Sequence, residues 1–174
     1  MYGDTGAWHA LMEKITDTVI DYMNYQIDSG VQAVQLFDSW VGCLSLADYD
    51  EYVFSHTQRM LQAISGRVPV IHFGTGKPAL APLMAKAGGD VLALDWRTPL
   101  METWNKTGVT AVQGNMDPIV LCADRASVER KAGEVLAEVD GRPGHIFNLG
   151  HGIIPETPVD NVKALVDYVH GYPI

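Results

Sequence analysis

The chain has 174 residues, 47% of them apolar, and a formal net charge of −9. That length can bury the core of one domain, and the acidic balance argues against nucleic acid or an anionic membrane surface as a partner. No charge-free run approaches the roughly 18 residues of a membrane span, no basic and apolar leader opens the sequence, and Cys43 and Cys122, far apart and outside any CxxC pattern, fit small buried thiols in a reducing cytoplasm.

Trp8, Leu11, Met12, Ile15, Val19, Tyr22, Met23 and Ile27 recur at helical spacing and predict a helix over 8–28. Asp4 or Thr5 would cap it and Gly30 would end it. Val31–Phe37 reads as a strand that stops at Asp38-Ser39-Trp40. Ser45 and Asp48 have capping-box spacing and open a helix with Tyr49, Tyr52, Val53, Met60 and Ile64 on its inner face. Val68–Phe73 is the second strand, ending in Gly74-Thr75-Gly76-Lys77, and Pro78 starts a short helix that Gly88-Gly89 closes.

Val91–Leu94 forms a third strand, followed by Asp95-Trp96-Arg97 and a helix capped by Thr98-Pro99 and closed by Gly108. Thr110–Gln113 is the fourth strand, ending in Gly114-Asn115-Met116-Asp117-Pro118. The next helix buries Val128, Ala132, Val135, Leu136 and Val139 and stops at Gly141. Ile146–Leu149 is the fifth strand, which runs into Gly150-His151-Gly152. In the last helix Thr157 is the expected N-cap, Pro158 the first helical residue and Asp160 the capping-box partner, with Val162, Leu165, Val166 and Val169 inward.

Residues 1–174 thus read as a single domain of one leading helix and five βα units. Such alternation implies parallel strands with helical crossovers. Every strand ends in a loop with a polar group: Asp38 and Ser39, His72 and Lys77, Asp95 and Arg97, Asn115 and Asp117, Asn148 and His151. Ligand groups at each strand end, rather than at one switch point, favour a TIM-type (β/α)8 barrel over a doubly wound sheet. A whole barrel takes about 250 residues, so the expected fold is the carboxyl-terminal part of one.

The Gly74–Pro78 turn lacks the spacing and the Ser/Thr of a phosphate loop. His9, His56 and His170 fall on helices as surface or boundary residues, His145 precedes its strand, and His72 reads as a core histidine. His151 differs, because glycines flank it and no apolar face claims it. Ser39 with Asp38 and His151 could form a nucleophilic triad, but without the GxSxG turn a substrate-binding hydroxyl is the better use. Asp95 and Arg97 read as a structural ion pair, with Gln113, Asn115 and Asp117 as loop braces.

Phe37-Asp38-Ser39-Trp40 with Gly42 and Leu44, Leu94-Asp95-Trp96, Gln113-Gly114-Asn115-Met116-Asp117-Pro118, and Asn148-Leu149-Gly150-His151-Gly152 with Pro155-Glu156-Thr157-Pro158 together resemble the uroporphyrinogen decarboxylase family. The resemblance implies a (β/α)8 barrel, usually a cytoplasmic homodimer, that needs no cofactor or metal. It also implies conversion of uroporphyrinogen III to coproporphyrinogen III by loss of CO2 from four acetate arms, with the protonated pyrrole as the electron sink. By motif position Ser39 and His151 would contact substrate, with His151 also a candidate for proton delivery. Phe37 would pack against the tetrapyrrole, and Trp96 and Asn115 would wall the pocket. The family's arginine-rich segment, pyrrole-binding aspartate and substrate-binding tyrosine belong to its amino-terminal half and have no counterpart here.

Two other readings follow. Related zinc-dependent corrinoid or coenzyme M methyltransferases use a His-x-Cys at a strand end, where this chain has His72-Phe73-Gly74. A half-barrel could also act as a non-catalytic assembly partner, pairing with itself or with an amino-terminal half that covers its open sheet edge.

Overall fold

A computed structural model describes residues 1–76 and 78–173. Lys77, the cation of the Gly74–Pro78 turn, lies outside the described residues. Helices alternate with five parallel strands that follow chain order in the sheet: β1 Val34–Asp38, β2 Val70–Gly74, β3 Val91–Leu94, β4 Ala111–Gln113 and β5 His145–Ile146. The chain divides into two compact units, Met1–Leu92 and Ala93–Ile174.

In the first unit, helix α1 (Thr5–Asp28) begins at Asp4, whose carboxylate accepts from the Ala7 N–H at 2.8 Å. Met23 and Ile27 pack with Leu61 and Ile64 of α3 (Ser55–Ile64) over Val34 and Val70 of the sheet. Leu11, Ile15 and Tyr22, among the residues whose spacing predicts the helix, are 52%, 42% and 62% exposed. The helix presents one seam through Thr16, Met23 and Ile27, and a residue one position away lies about 100° round the axis.

The two strands start later than their apolar runs. Val31 is exposed, and β2 begins after Pro69, which has no N–H for the ladder but whose carbonyl accepts from Val34 at 3.0 Å. Ser45 caps α2 (Leu46–Tyr49) through the Asp48 N–H as expected, and the Asp48 carboxylate also accepts from the Ser45 hydroxyl. A π-turn, Asp50–Phe54, then leads into α3. Pro78–Leu80 is a 3₁₀ turn before α4 (Ala81–Ala87).

The second unit contains α5 (Leu100–Thr107), α6 (Arg125–Val139) and α7 (Val159–His170). Leu100, Trp104, Val112 and Val139 make one cluster, and Met116, Leu121, Val128, Ala132 and Leu165 another. Two expected caps are replaced. Thr98 gives its hydroxyl to Asp95 at 2.9 Å, leaving Pro99 at the start of α5. Pro158, not Thr157, occupies the N-cap of α7, without a side-chain cap bond.

β5 covers only His145–Ile146, with a separate parallel bridge between Met116 and Leu149. His145 therefore lies inside the strand, its Nε2 2.7 Å from the Gly114 carbonyl oxygen. Val166 is 45% exposed, because α7 buries Ala164 and Leu165 instead. Both cysteines are exposed rather than buried. His56 is buried rather than at the surface, held 2.9 Å from His9 across α1 and α3.

Candidate active site

In the first unit the groups gather after β1. Side chains alternate along a strand, and Val34 and Leu36 join the cluster beneath the helices. Phe37 points the other way, 66% exposed, with its ring edge-on to Phe73 at 5.7 Å. Ser39 follows at the strand end and is half-buried. Its carbonyl accepts from the Thr75 hydroxyl at 2.6 Å. Gly42 seats the same loop against β2, since a Cβ there would lie 2.5 Å from the Thr75 carbonyl oxygen. Thr75 was missed in the sequence, where the Gly74-Thr75-Gly76 run was its only signal.

Asp38 shares the helix side of β1 with Val34 and Leu36. Burial pushes its carboxyl up to about 6. The fully buried Tyr49 hydroxyl is raised by its own burial and then by the Asp38 charge, with Thr57 offsetting part of the effect. His72 also faces the helices: it is buried, its Nδ1 lies 3.2 Å from the Met84 carbonyl oxygen, and burial lowers its pKa to about 4. That is the core histidine expected.

In the second unit the groups gather after β3 and around Gly150. Asp95 is fully buried and accepts from Arg97 Nε at 2.8 Å and Nη2 at 2.6 Å, besides the Thr98 hydroxyl. The expected ion pair is therefore present. The Arg97 guanidinium lies 4.4 Å from the centre of the Trp96 ring, and His151 meets the same indole edge-on at 6.2 Å. Asn115 Nδ2 donates to the carbonyls of Asp95 (2.8 Å) and Thr98 (2.6 Å), which fixes the loop that carries Trp96. Gly150 is the glycine this arrangement requires, because any Cβ there would overlap the Trp96 backbone. His151 itself is exposed.

Each unit thus holds polar and aromatic groups just beyond strand ends, on loops braced by buried hydrogen bonds. Residues 1–172 match the family model described as Uroporphyrinogen decarboxylase (URO-D). The chain belongs to the uroporphyrinogen decarboxylase family. It is 55% identical over 99% of its length to the uroporphyrinogen decarboxylase of Sorangium cellulosum, covering 50% of that protein. It is 48% identical over its whole length to that of Chloroflexus aurantiacus, covering 51%, and 49% identical over 97% of its length to that of Thermus thermophilus, covering 50%.

The chain spans about half the length of the curated relatives it matches. The family fold is the (β/α)8 barrel, and the parallel strands alternating with helices are units of it. The first unit carries the Ser39 motif and the second the His151 motif.

Proposed function

We propose that the chain is the carboxyl-terminal half of a uroporphyrinogen decarboxylase barrel, counted as one domain with the half that completes it. The reaction removes CO2 from the four acetate arms of uroporphyrinogen III and leaves methyl groups, giving coproporphyrinogen III for haem and chlorophyll synthesis. Each cycle exchanges one carboxylate for a proton. Protonation of a pyrrole carbon provides the electron sink, the C–CO2 bond breaks into it, the methylene left on the arm takes up a proton, and the ring carbon releases its own to restore the pyrrole. The reading includes a homodimer in the cytoplasm, without metal or cofactor.

In this reading Ser39 donates a hydrogen bond to a side-arm carboxylate. His151 binds another or delivers a proton, and Phe37 packs against the tetrapyrrole. The observation that carries the proposal is the family match over residues 1–172, and the positions of Ser39 directly after β1 and of His151 in the loop after β5 support it. Leu11, Ile15, Tyr22 and Tyr25 lie exposed along α1 and support a partner that covers that helix.

Activity requires that partner. An octacarboxylate meets a chain of net charge −9, and exposed helix N-termini offset only about 0.3–1 kcal/mol each. The test incubates uroporphyrinogen III with the chain alone and with the amino-terminal half of the Sorangium relative, followed by chromatography of the coproporphyrinogen formed. Turnover is expected only in the mixture, together with an equimolar complex of the two halves by size. Rapid turnover by the chain alone overturns the dependence on a partner. A well-formed equimolar complex without turnover overturns the function.

A further inference from the structure

We infer that Arg97 is a carboxylate-binding residue of the porphyrinogen site, aimed by Asp95 and Trp96 and acting on the same aromatic wall as His151. The inference rests on the decarboxylase reading and adds to it a group that Ser39 and His151 do not supply: a permanent positive charge. A guanidinium remains protonated at all working pH values and carries five N–H donors in a rigid fork suited to carboxylates.

Arg97 stands apart among the described arginines. Arg59 pairs with Glu13 and Asp17, Arg67 with Asn24 and Asp28, Arg125 with Glu129, and Arg130 with Glu134, while Arg142 bonds Asn105 and stacks on Trp104. All five lie on helices or on loops that lead out of helices. Arg97 alone follows the carboxyl end of a strand, where the ligand groups of this fold class gather.

The pair with Asp95 accounts for one edge of the guanidinium. Nε and Nη2 both point to Oδ2, and the aspartate side chain is fully buried while that of Arg97 is 50% exposed. A buried carboxylate needs a counter-charge, but that need does not require the rest of the guanidinium to stay at the surface. Stacking on Trp96 fixes the plane, so little side-chain entropy is lost when a second anion docks. Arg97 also borders a depression of about 470 Å³ with Trp96 and Asn115, which Lys131, Glu134 and Glu138 of α6 also line; Glu134 is paired with Arg130 and Lys131, and Glu138 accepts from the Met101 N–H. The cation thus arrives pre-aimed, with the His151 ring perpendicular to the indole it stacks upon, 6.2 Å between ring centres.

The test titrates uroporphyrin III, the stable oxidised octacarboxylate, into the 15N-labelled chain. It follows the Arg97 Nε–H resonance alongside the backbone resonances of Ser39 and His151. The Arg97 and His151 signals should shift over the same concentration range. R97Q should weaken binding about tenfold, as expected for loss of a charge-assisted hydrogen bond. R97K, which keeps the charge without the fork, should fall between, and R59Q should match the wild type.

Because R97Q removes a partner of the buried Asp95 and could unfold the loop, the wild-type Arg97 resonance is the deciding measurement. If Ser39 or His151 responds while Arg97 stays still and R97K binds as wild type, the inference is overturned and the decarboxylase reading stands. If no resonance responds, in the chain alone or saturated with the amino-terminal half, both fall together.

Discussion

Gly150 rests directly on the backbone of Trp96: a Cβ built at residue 150 would overlap the Trp96 nitrogen and come within 2.8 Å of the Asp95 carbonyl carbon. Backbone atoms cannot step aside as a flexible side chain can. Gly150→Ala should therefore push apart the loops that carry Trp96 and His151, at about 1–3 kcal/mol, the usual penalty for overpacking. Gly152→Ala meets nothing within 4 Å and should stay within about 0.5 kcal/mol of wild type. Urea midpoints measure both. Equal midpoints for the two variants would mean that the close approach is not a constraint.

The bond from Thr75 to the Ser39 carbonyl, at 2.6 Å, ties the loop after β1 to the end of β2. Thr75→Val keeps the shape and removes the donor, leaving a part-buried carbonyl unsatisfied. That should destabilise the chain by about 1–3 kcal/mol, whereas Thr75→Ser should recover most of the loss. If valine and serine are equally stable, the hydroxyl does not hold Ser39 in place.

Such ties mark the limit of what could be read from the sequence. The alternation of apolar runs with glycine and proline stops gave the order of elements, and β3 fell on its expected residues, Val91–Leu94. Boundaries drifted where a local feature outweighed hydrophobicity: Pro69 delays β2, and Thr98 serves Asp95 instead of its helix. Apolarity alone left open that Leu11, Ile15 and Tyr22 face outward, because a helix carrying apolar residues over a wide arc does not announce which seam its neighbour takes. At the strand ends His151, Ser39 and the Asp95–Arg97 pair were legible from residue type and position. The stacking of Arg97 on Trp96 and the bond from Thr75 were not, since both depend on side-chain directions that spacing does not encode.

Asp38 and His72 should pull stability in opposite directions as pH changes. Asp38 titrates near 6 in the folded chain against about 3.9 unfolded, so its contribution is full below about pH 4 and is lost as pH rises to about 6. His72 titrates near 4 when folded against about 6.5 unfolded, so its contribution is full above about pH 6.5 and is lost as pH falls to about 4. At 1.36 kcal/mol per pKa unit, His72 amounts to roughly 3 kcal/mol. Asp38, partly solvated, is on the order of 1–2 kcal/mol. Histidine wins, and the wild type should weaken from pH 6.5 to 4. Asp38→Asn should be the more stable protein at pH 7 and lose that advantage by pH 4, giving a steeper acid decline. His72→Asn should flatten it. Urea titrations across this range decide, and an Asp38→Asn advantage that instead grows toward acid would contradict the sign.

His151 and Ser39 should separate in kinetics once the chain is paired with an amino-terminal half. Both stand beyond strand ends, but they offer different chemistry. A serine hydroxyl can position a carboxylate, whereas an imidazole can also carry a proton. Ser39→Ala should therefore act mainly on KM, raising it about tenfold, the worth of one hydrogen bond to a charged group. His151→Asn keeps a hydrogen-bond donor of similar reach but cannot titrate. If the ring only holds a side arm, this variant should behave like Ser39→Ala. If it delivers a proton, kcat should fall about 100-fold, within the range of general acid–base catalysis, and the pH–rate profile should lose a limb. The second outcome is the expected one, because Arg97, proposed above as a carboxylate partner, stacks on the same Trp96 that His151 meets. An unchanged kcat/KM in His151→Asn would remove the histidine from the reaction altogether.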